Sequence, residues 1–383
     1  MGPQAMRPAT RDMLGAPEEA PIKAAGARAH GERIATVDNA KAIGIVLVVL
    51  GHASGVPPLM AVLVYAFHMP LFFFISGYLL SEARVQEPLS QQLRRLARDL
   101  LLPYLLFFAL SWAYWLITRD LGNRAAKFAG ISWSAPLSGL VSGLGSDLIV
   151  NPALWFLPCL FTTLLLYAAL RRWLSAGPAA IAGLTSAVLA IQVMNTIDGR
   201  LPWGLDIAWV AMAFVAAGCW LRSQTWAQAL NPLHWRWPAR ALAVVLLATV
   251  FVSLALHMGR VDLNMTFFGP QPLLYVATAA SGIALTTLLA SQCPPNRLTT
   301  WLSRNTLVIF PSHVLVMNFA SGFAQLAFHI SPTDLQSPVW MLVSSLLAIA
   351  AAAPIGMTLR YLLPQVFDRA ASKGRRMKER VCN

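Results

Sequence analysis

The chain has 383 residues, of which 57% are hydrophobic and 12% charged, and its mean hydropathy is +0.59. A soluble globular domain carries about 25% charged residues, so the composition excludes that class and indicates a polytopic membrane protein. The net charge of +13 would favour a nucleic-acid partner for a soluble protein. In a membrane protein the positions of the charges matter more, and we expect no nucleic-acid partner.

Long apolar segments recur along the whole chain. A hydrocarbon core of about 30 Å needs about 20 apolar residues in helical form. The sequence therefore predicts an all-α fold with about ten transmembrane helices. The segments lie at roughly 40–56, 60–81, 99–118, 152–170, 178–195, 206–221, 241–257, 271–291, 305–327 and 339–363.

Lysines and arginines are distributed unevenly between the two sides of this arrangement. If the N-terminus is cytoplasmic, 22 of them fall in inner segments and five in outer loops, which predicts by the positive-inside rule that both termini are cytoplasmic. The predicted domains are a disordered basic tail at 1–38, a transmembrane domain at 39–363 and a second basic cytoplasmic tail at 364–383. The outer loop 119–151 is expected to be partly ordered.

The first apolar segment contains two ionisable side chains, Lys41 and His52. Eleven helical residues place them within roughly 20° of each other and about 16 Å apart along the axis. Asp38 falls on the same face. Such a polar face must contact protein or water rather than lipid. His52 is therefore either a general base for a hydroxyl group or a histidine that packs between helices through a hydrogen bond.

The second segment contains Phe67-His68-Met69-Pro70 followed by Leu71-Phe72-Phe73-Phe74. Counting about 1.5 Å per residue from the short outer turn puts His68 about 12 Å deep and His52 about 6 Å deep. The two histidines are thus candidate neighbours. We expect Pro70 to kink the helix, and at least two of the three phenylalanines to face lipid.

Three further motifs carry candidate functional residues. Arg94, Arg95 and Arg98 precede the third segment, where guanidinium groups could bind the phosphates of a nucleotide-like donor or could only set the topology. Asn151 is a candidate N-cap for the fourth helix, and Trp155 either belongs to an interfacial aromatic belt or stacks on a sugar.

His313 lies in the middle of the ninth helix and has the same two interpretations as His52. The histidines and cysteines show no metal-ligand spacing, so no metal is expected. The charged residues of the outer loops could hydrogen-bond a polyol, but solvated surface charge is the favoured interpretation of each. These residues are Asp198, Arg200, Asp206, Arg260 and Asp262.

At these positions the chain resembles the acyltransferase-3 family of integral-membrane acyltransferases, and especially its branch similar to fucose 4-O-acetylase. The resemblance runs from about residue 33 to 363. It departs at Phe310-Pro311-Ser312, which replaces the family's commoner Tyr-Leu-Ile before His313. The residues that carry it are the basic residue, ten residues and histidine of Lys41 to His52, and the segments FHMPLFFFISGYLL, RRLARDLLLPY, NPALWFL and NTLVIFPSH.

The resemblance implies a bacterial inner-membrane O-acetyltransferase that moves an acetyl group from cytoplasmic acetyl-CoA to a sugar hydroxyl of an exopolysaccharide or its lipid-linked oligosaccharide precursor. It implies a catalytic role for His52, Lys41 and Asp38, with His52 as general base, and acetyl-CoA binding by the three arginines. A homodimer is left open. The residues implied to bind the acceptor are His68, Ser76, Tyr78, Asn151, Trp155 and His313.

Two rival functions fit the composition. A secondary transporter of an anionic metabolite or lipid would also have about ten helices and intramembrane His and Lys residues. It predicts charged side chains at the midplane of several helices, whereas here they cluster on the first helix and at helix ends. A structural subunit of a polysaccharide assembly gives no reason for the face shared by Lys41 and His52.

Overall fold

A computed structural model describes residues 19–224, 236–269, 271–294 and 296–367. Within these ranges the ordered secondary structure is helical, and the one β-type pairing is an isolated bridge between Asp262 and Phe267. The α-helices are α1 (Glu19–His52), α2 (Pro58–Tyr65), α3 (His68–Leu79), α4 (Glu82–Val85), α5 (Leu89–Leu96), α6 (Leu102–Thr118), α7 (Asn123–Lys127), α8 (Pro136–Ser142), α9 (Phe156–Leu170), α10 (Ala176–Met194), α11 (Leu205–Ser223), α12 (Trp237–Met258), α13 (Pro272–Gln292), α14 (Arg297–Phe328), α15 (Pro338–Leu362) and α16 (Pro364–Phe367).

Ten helical stretches in the described ranges are long and apolar enough to cross a membrane. This confirms the predicted all-α fold with about ten transmembrane helices. α1 begins at Glu19, well before the predicted domain boundary at residue 38. The rest of the predicted N-terminal tail, 1–18, and most of the C-terminal tail, 368–383, lie outside the described residues.

The second membrane-spanning stretch is broken just before Pro70. α2 ends at Tyr65 and α3 begins at His68, with Phe67 between them at φ −147° and ψ −14°. A proline ring clashes with the carbonyl group four residues earlier, here that of Ala66, and offers no N–H to it. The predicted kink is therefore a full interruption, and it places His68 at the start of a new helix.

The third stretch is also irregular. A π-helical segment, Ala97–Leu101, joins α5 to α6 directly after the arginine motif. Single π-helical turns inside α-helices occur frequently at functional sites. The segment between α6 and α9 contains α7 and α8, and Tyr104 of α6 donates a hydrogen bond to the carbonyl of Leu140 at 2.9 Å. The predicted partial order of 119–151 is thus confirmed.

α11 lies at the centre of one half of the bundle, against α3, α9 and α10. The close crossing of α3 and α11 requires glycine, because a Cβ atom at Gly77 would lie 2.0 Å from the Val215 carbonyl oxygen. Phe72 and Phe73 are buried here, and their rings lie 6.2 and 5.1 Å from that of Phe156. The prediction that two of the three phenylalanines face lipid is wrong, since they fill the protein interior.

α1 packs against α13 and α14, and α14 packs in turn against α15. Lys41 contacts Ser303, and His52 contacts His313, so α1 and α14 run side by side in the same direction. The rise from Lys41 to His52 is about 16 Å and that from Ser303 to His313 about 15 Å. We call the two ends of the bundle that these contacts mark the Lys41 end and the His52 end.

Candidate active site

Three histidines from three helices meet at the His52 end. The ring centroids of His52 and His313 are 5.0 Å apart in an edge-to-face arrangement. The ring of Tyr65 lies 6.2 Å from His52 and 5.1 Å from His68, so it bridges the two histidines. The break before Pro70 makes this possible, because Tyr65 and His68 end and begin separate helices. We call His52, Tyr65, His68 and His313 the histidine cluster.

Each imidazole makes the same kind of hydrogen bond to its own helix. Nδ1 of His52 lies 2.9 Å from the Val48 carbonyl oxygen, and Nδ1 of His68 lies 2.8 Å from that of Val64. Nδ1 of His313 pairs with the carbonyl of Phe310. A carbonyl oxygen only accepts, so Nδ1 must carry the proton in all three rings. The neutral tautomer therefore leaves every Nε2 as a free base.

The three histidines differ in access. His313 and His68 are buried, at 0% and 3% exposure, and His313 Nε2 has no hydrogen-bond partner among the described residues. His52 is half-buried and lines a cavity of about 60 Å³ together with polar groups of α14 and α15, among them Asn318 and Ser321. Ligand pockets usually exceed about 300 Å³. The cavity is therefore smaller than a usual ligand pocket.

A short hairpin between α12 and α13 lies next to the histidine cluster. Its backbone is closed by the Asp262 and Phe267 bridge, with N···O distances of 2.8 and 2.9 Å. The Arg260 guanidinium lies over the Tyr65 ring, 5.3 Å from the centroid. One carboxylate oxygen of Asp262 accepts from the backbone N–H groups of Asn264 and Met265 at 2.9 and 3.2 Å. The hairpin therefore brings one cation and one anion to the cluster.

Asp262 is not the solvated surface charge that the sequence suggested. Burial raises the pKa of this carboxyl group, whereas its two backbone N–H donors, Arg260 and His52 lower that pKa. The opposing influence of His52 means that an imidazolium there and a carboxylate at Asp262 would stabilise each other. Sequence reasoning named Asp262 only as a charged loop residue, did not predict its approach to His52, and missed Tyr65. The only sequence signal was the placement of Tyr65 three residues before His68.

At the Lys41 end, the predicted polar face of α1 binds α14 through one residue. Ser303 donates its hydroxyl to Asp38 at 2.6 Å, and Lys41 donates from Nζ to the carbonyl oxygen of Ser303 at 2.9 Å. Asn39 donates to the carbonyl groups of Ala290 and Cys293. Asp38 and Lys41 are thus fixed about 16 Å from His52 along the axis, and they face protein as predicted.

The three predicted arginines line one groove. Arg94, Arg95 and Arg98 surround a volume of about 390 Å³ together with Glu87, Ser90 and Gln91. We call it the α5 groove. Arg95 lies 3.2 Å from Glu87, and Arg98 lies 2.9 Å from Asp99. Two of the three guanidinium groups therefore already contact a carboxylate.

The remaining predicted acceptor residues are not brought together. Ser76 and Tyr78 lie 8 and 10 residues beyond His68 on α3, about 12 and 15 Å along its axis and away from the histidine cluster. Trp155 is buried at 4% exposure, so it belongs to the protein interior rather than to an interfacial belt. These positions do not support contact of all three with one sugar.

Asn151 is buried beside the histidine cluster. It occupies the N-cap position of the 3₁₀ turn Pro152–Trp155 but makes no capping hydrogen bond. Its side-chain amide donates instead to Ser111 at 3.1 Å and to the carbonyl of Pro311 at 2.9 Å. The predicted N-cap position is therefore confirmed, but the side chain does not cap the turn. The Asn151 side chain is instead hydrogen-bonded to α14 at Pro311, two residues before His313.

Two other expectations from the sequence concern charge. Asp206 is 6% exposed and lies 2.6 Å from Arg200, so this pair is a structural ion pair rather than solvated charge. In the part of the chain that the structure describes, no group of three or more His, Cys, Asp or Glu side chains is arranged to hold a metal ion.

A bundle of about ten spanning helices with basic imidazoles at one end and a lysine-bearing polar face leading to them is consistent with a membrane group-transfer enzyme. The family model described as "Acyltransferase domain" (acyltransferase-3) matches residues 34–357. The chain belongs to this family. It is therefore a multi-pass membrane acyltransferase.

One curated relative matches part of the chain. The nodulation protein NolL of Mesorhizobium japonicum is 37% identical over 106 residues, which cover 23% of this chain and 28% of the relative. The match thus spans little more than a quarter of that protein's length. No solved structure matches the chain significantly.

Proposed function

We propose that this protein transfers an acetyl group from acetyl-CoA, bound at the Lys41 end, to a sugar hydroxyl presented at the His52 end. The acceptor is a cell-surface polysaccharide or its lipid-linked precursor, and the Lys41 end faces the cytoplasm of a bacterial inner membrane. The excess of lysines and arginines in the inner segments supports this orientation.

One observation carries the proposal: the free Nε2 of His52. Its Nδ1 donates a hydrogen bond to the Val48 carbonyl oxygen, and the ring lines the cavity at the His52 end. A neutral imidazole with an accessible Nε2 can accept the proton of an attacking hydroxyl. The Asp262 carboxylate, through its electrostatic interaction with His52, would stabilise the imidazolium that forms.

The polar face of α1 supplies the route between the two ends. The thioester must reach His52 from a site about 16 Å away, and charged or polar groups inside the bilayer mark such pathways. Asp38 and Lys41 hold the entrance of the route through Ser303. Arg94, Arg95 and Arg98 are the sequence candidates for holding the phosphates of the donor.

The direct test uses purified full-length protein in lipid nanodiscs, acetyl-CoA labelled in the acetyl group and a polysaccharide acceptor. The expected result is label covalently attached to the acceptor and released by mild alkali, as an ester would be. A transporter would leave the acceptor unlabelled. Label that appears on the acceptor without any dependence on the protein would also defeat the proposal.

A further inference from the structure

A second basic groove opens at the Lys41 end, on α14. It has a volume of about 470 Å³, within the range of ligand pockets, and we call it the Trp301 groove. None of the residues that line it is acidic. They are Asn296, Arg297, Thr300, Trp301, Arg304 and Asn305.

The spacing of these residues places two arginines and a tryptophan side by side. Arg297, Trp301 and Arg304 are four and three residues apart, so they share one face of α14. Both arginines are exposed and Trp301 is half-buried. Among the described residues neither Arg297 nor Arg304 forms an ion pair, in contrast to Arg95 and Arg98 of the α5 groove.

A third guanidinium adds to the positive charge. Arg360 of α15 donates from Nη1 to the side-chain oxygen of Asn305 at 3.0 Å, and Asn305 lines the groove. Three guanidinium groups without a lining carboxylate favour an anion with several oxygen atoms, such as a phosphate. The indole of Trp301 offers a flat face on which a base can stack.

The groove also adjoins the polar face of α1. Lys41 donates to the carbonyl oxygen of Ser303, and that carbonyl belongs to the peptide bond between Ser303 and Arg304. A ligand held on Arg304 would therefore lie next to the start of the path from Lys41 to His52.

We propose that the Trp301 groove binds the phosphorylated adenosine end of the acyl donor, with Trp301 stacking on the adenine and Arg297 and Arg304 holding phosphate groups. The proposal rests on the proposed function for the identity of the donor. It assigns nucleotide recognition to α14. The acyl-bearing arm would then run along α1 past Lys41.

The test measures binding separately from turnover. Calorimetric titration of the full-length protein with CoA and with adenosine 3′,5′-bisphosphate should show that Arg297→Gln combined with Arg304→Gln weakens both affinities about tenfold or more. Trp301→Leu should weaken them also, and Trp301→Phe should restore most of the affinity. The matched control is Arg84→Gln, which removes an exposed arginine of α4 outside both grooves and should leave affinity unchanged.

Two outcomes separate this proposal from the proposed function. Unchanged affinity in the Arg297 and Arg304 double variant, together with normal acetyl transfer, would overturn the groove and leave the function standing. Nucleotide binding that depends on the groove in a protein that transfers no acetyl group would overturn the proposed function alone. Equal loss of affinity in the Arg84→Gln control would show a general charge effect and defeat the groove.

Discussion

The two ends of the α1 polar face are built differently. At the His52 end, three imidazoles are half-buried or buried. Nδ1 of each ring forms a hydrogen bond with a backbone carbonyl of its own chain segment. At the Lys41 end, arginines line the open Trp301 groove of about 470 Å³, and other arginines line the α5 groove of about 390 Å³. Enclosed groups with defined tautomers suit proton transfer, whereas exposed guanidinium groups suit recognition of a charged donor. Substitutions at the His52 end should therefore lower kcat, whereas substitutions of the arginines should raise the KM for the donor.

The largest expected effect is at His52. His52→Ala should lower kcat by about 10²- to 10⁴-fold, the usual contribution of a general base, without loss of membrane insertion. His257→Ala, which removes an exposed histidine of α12, is the matched control and should keep full activity. Retention of more than about a tenth of wild-type kcat in His52→Ala would show that the ring only packs between helices.

The next effect concerns the hairpin. Asp262→Asn keeps an oxygen for the N–H groups of Asn264 and Met265 but removes the charge that interacts with His52. We expect kcat to fall about tenfold, since one charge pair at a partly exposed site contributes on the order of 1–2 kcal/mol. Activity should be measured together with the thermal unfolding temperature.

The thermal stability of Asp262→Asn should not fall together with its kcat. The net raised pKa of Asp262 means that the folded state favours the protonated acid, so this contribution to stability is present at low pH and is lost as pH rises through the raised pKa. Asparagine mimics the protonated form, so Asp262→Asn should leave the unfolding temperature at pH 7 unchanged or higher. A fall in that temperature parallel to kcat would assign Asp262 a structural role only.

The sequence predicted the fold well because hydropathy alone decides which segments enter a bilayer. Hydropathy does not distinguish lipid from protein interior, since both are apolar. For this reason the sequence predicts lipid contact for the phenylalanines and an interfacial position for Trp155, whereas Phe72, Phe73 and Trp155 are buried in the core. The proximity of His52 and His68, whose rings both lie against Tyr65, was predictable from helix geometry. Asp262 was not, because its approach to His52 depends on how a hairpin more than 200 residues away folds back.

A smaller effect is expected at the α5 groove. Neutralising Arg94, Arg95 and Arg98 should raise the KM for acetyl-CoA more than that for the glycan acceptor, since these groups contact the solvent and not the reacting atoms. The increase in the KM for acetyl-CoA should be smaller than the increase caused by substitutions in the Trp301 groove, because Arg95 and Arg98 already contact carboxylates. Equal changes in both KM values, or none, would mean that the three arginines only set the topology.

The smallest expected signal is a covalent one. His52 either deprotonates the acceptor hydroxyl for direct attack on the thioester or becomes acetylated itself and passes the group on. We favour direct transfer, because the Nδ1 bond to Val48 and the carboxylate of Asp262 both suit an imidazole that gains a proton. Incubation with labelled acetyl-CoA in the absence of acceptor should therefore leave the protein unlabelled. Stoichiometric acid-labile label on His52, discharged when acceptor is added, would establish the relay and reject direct attack.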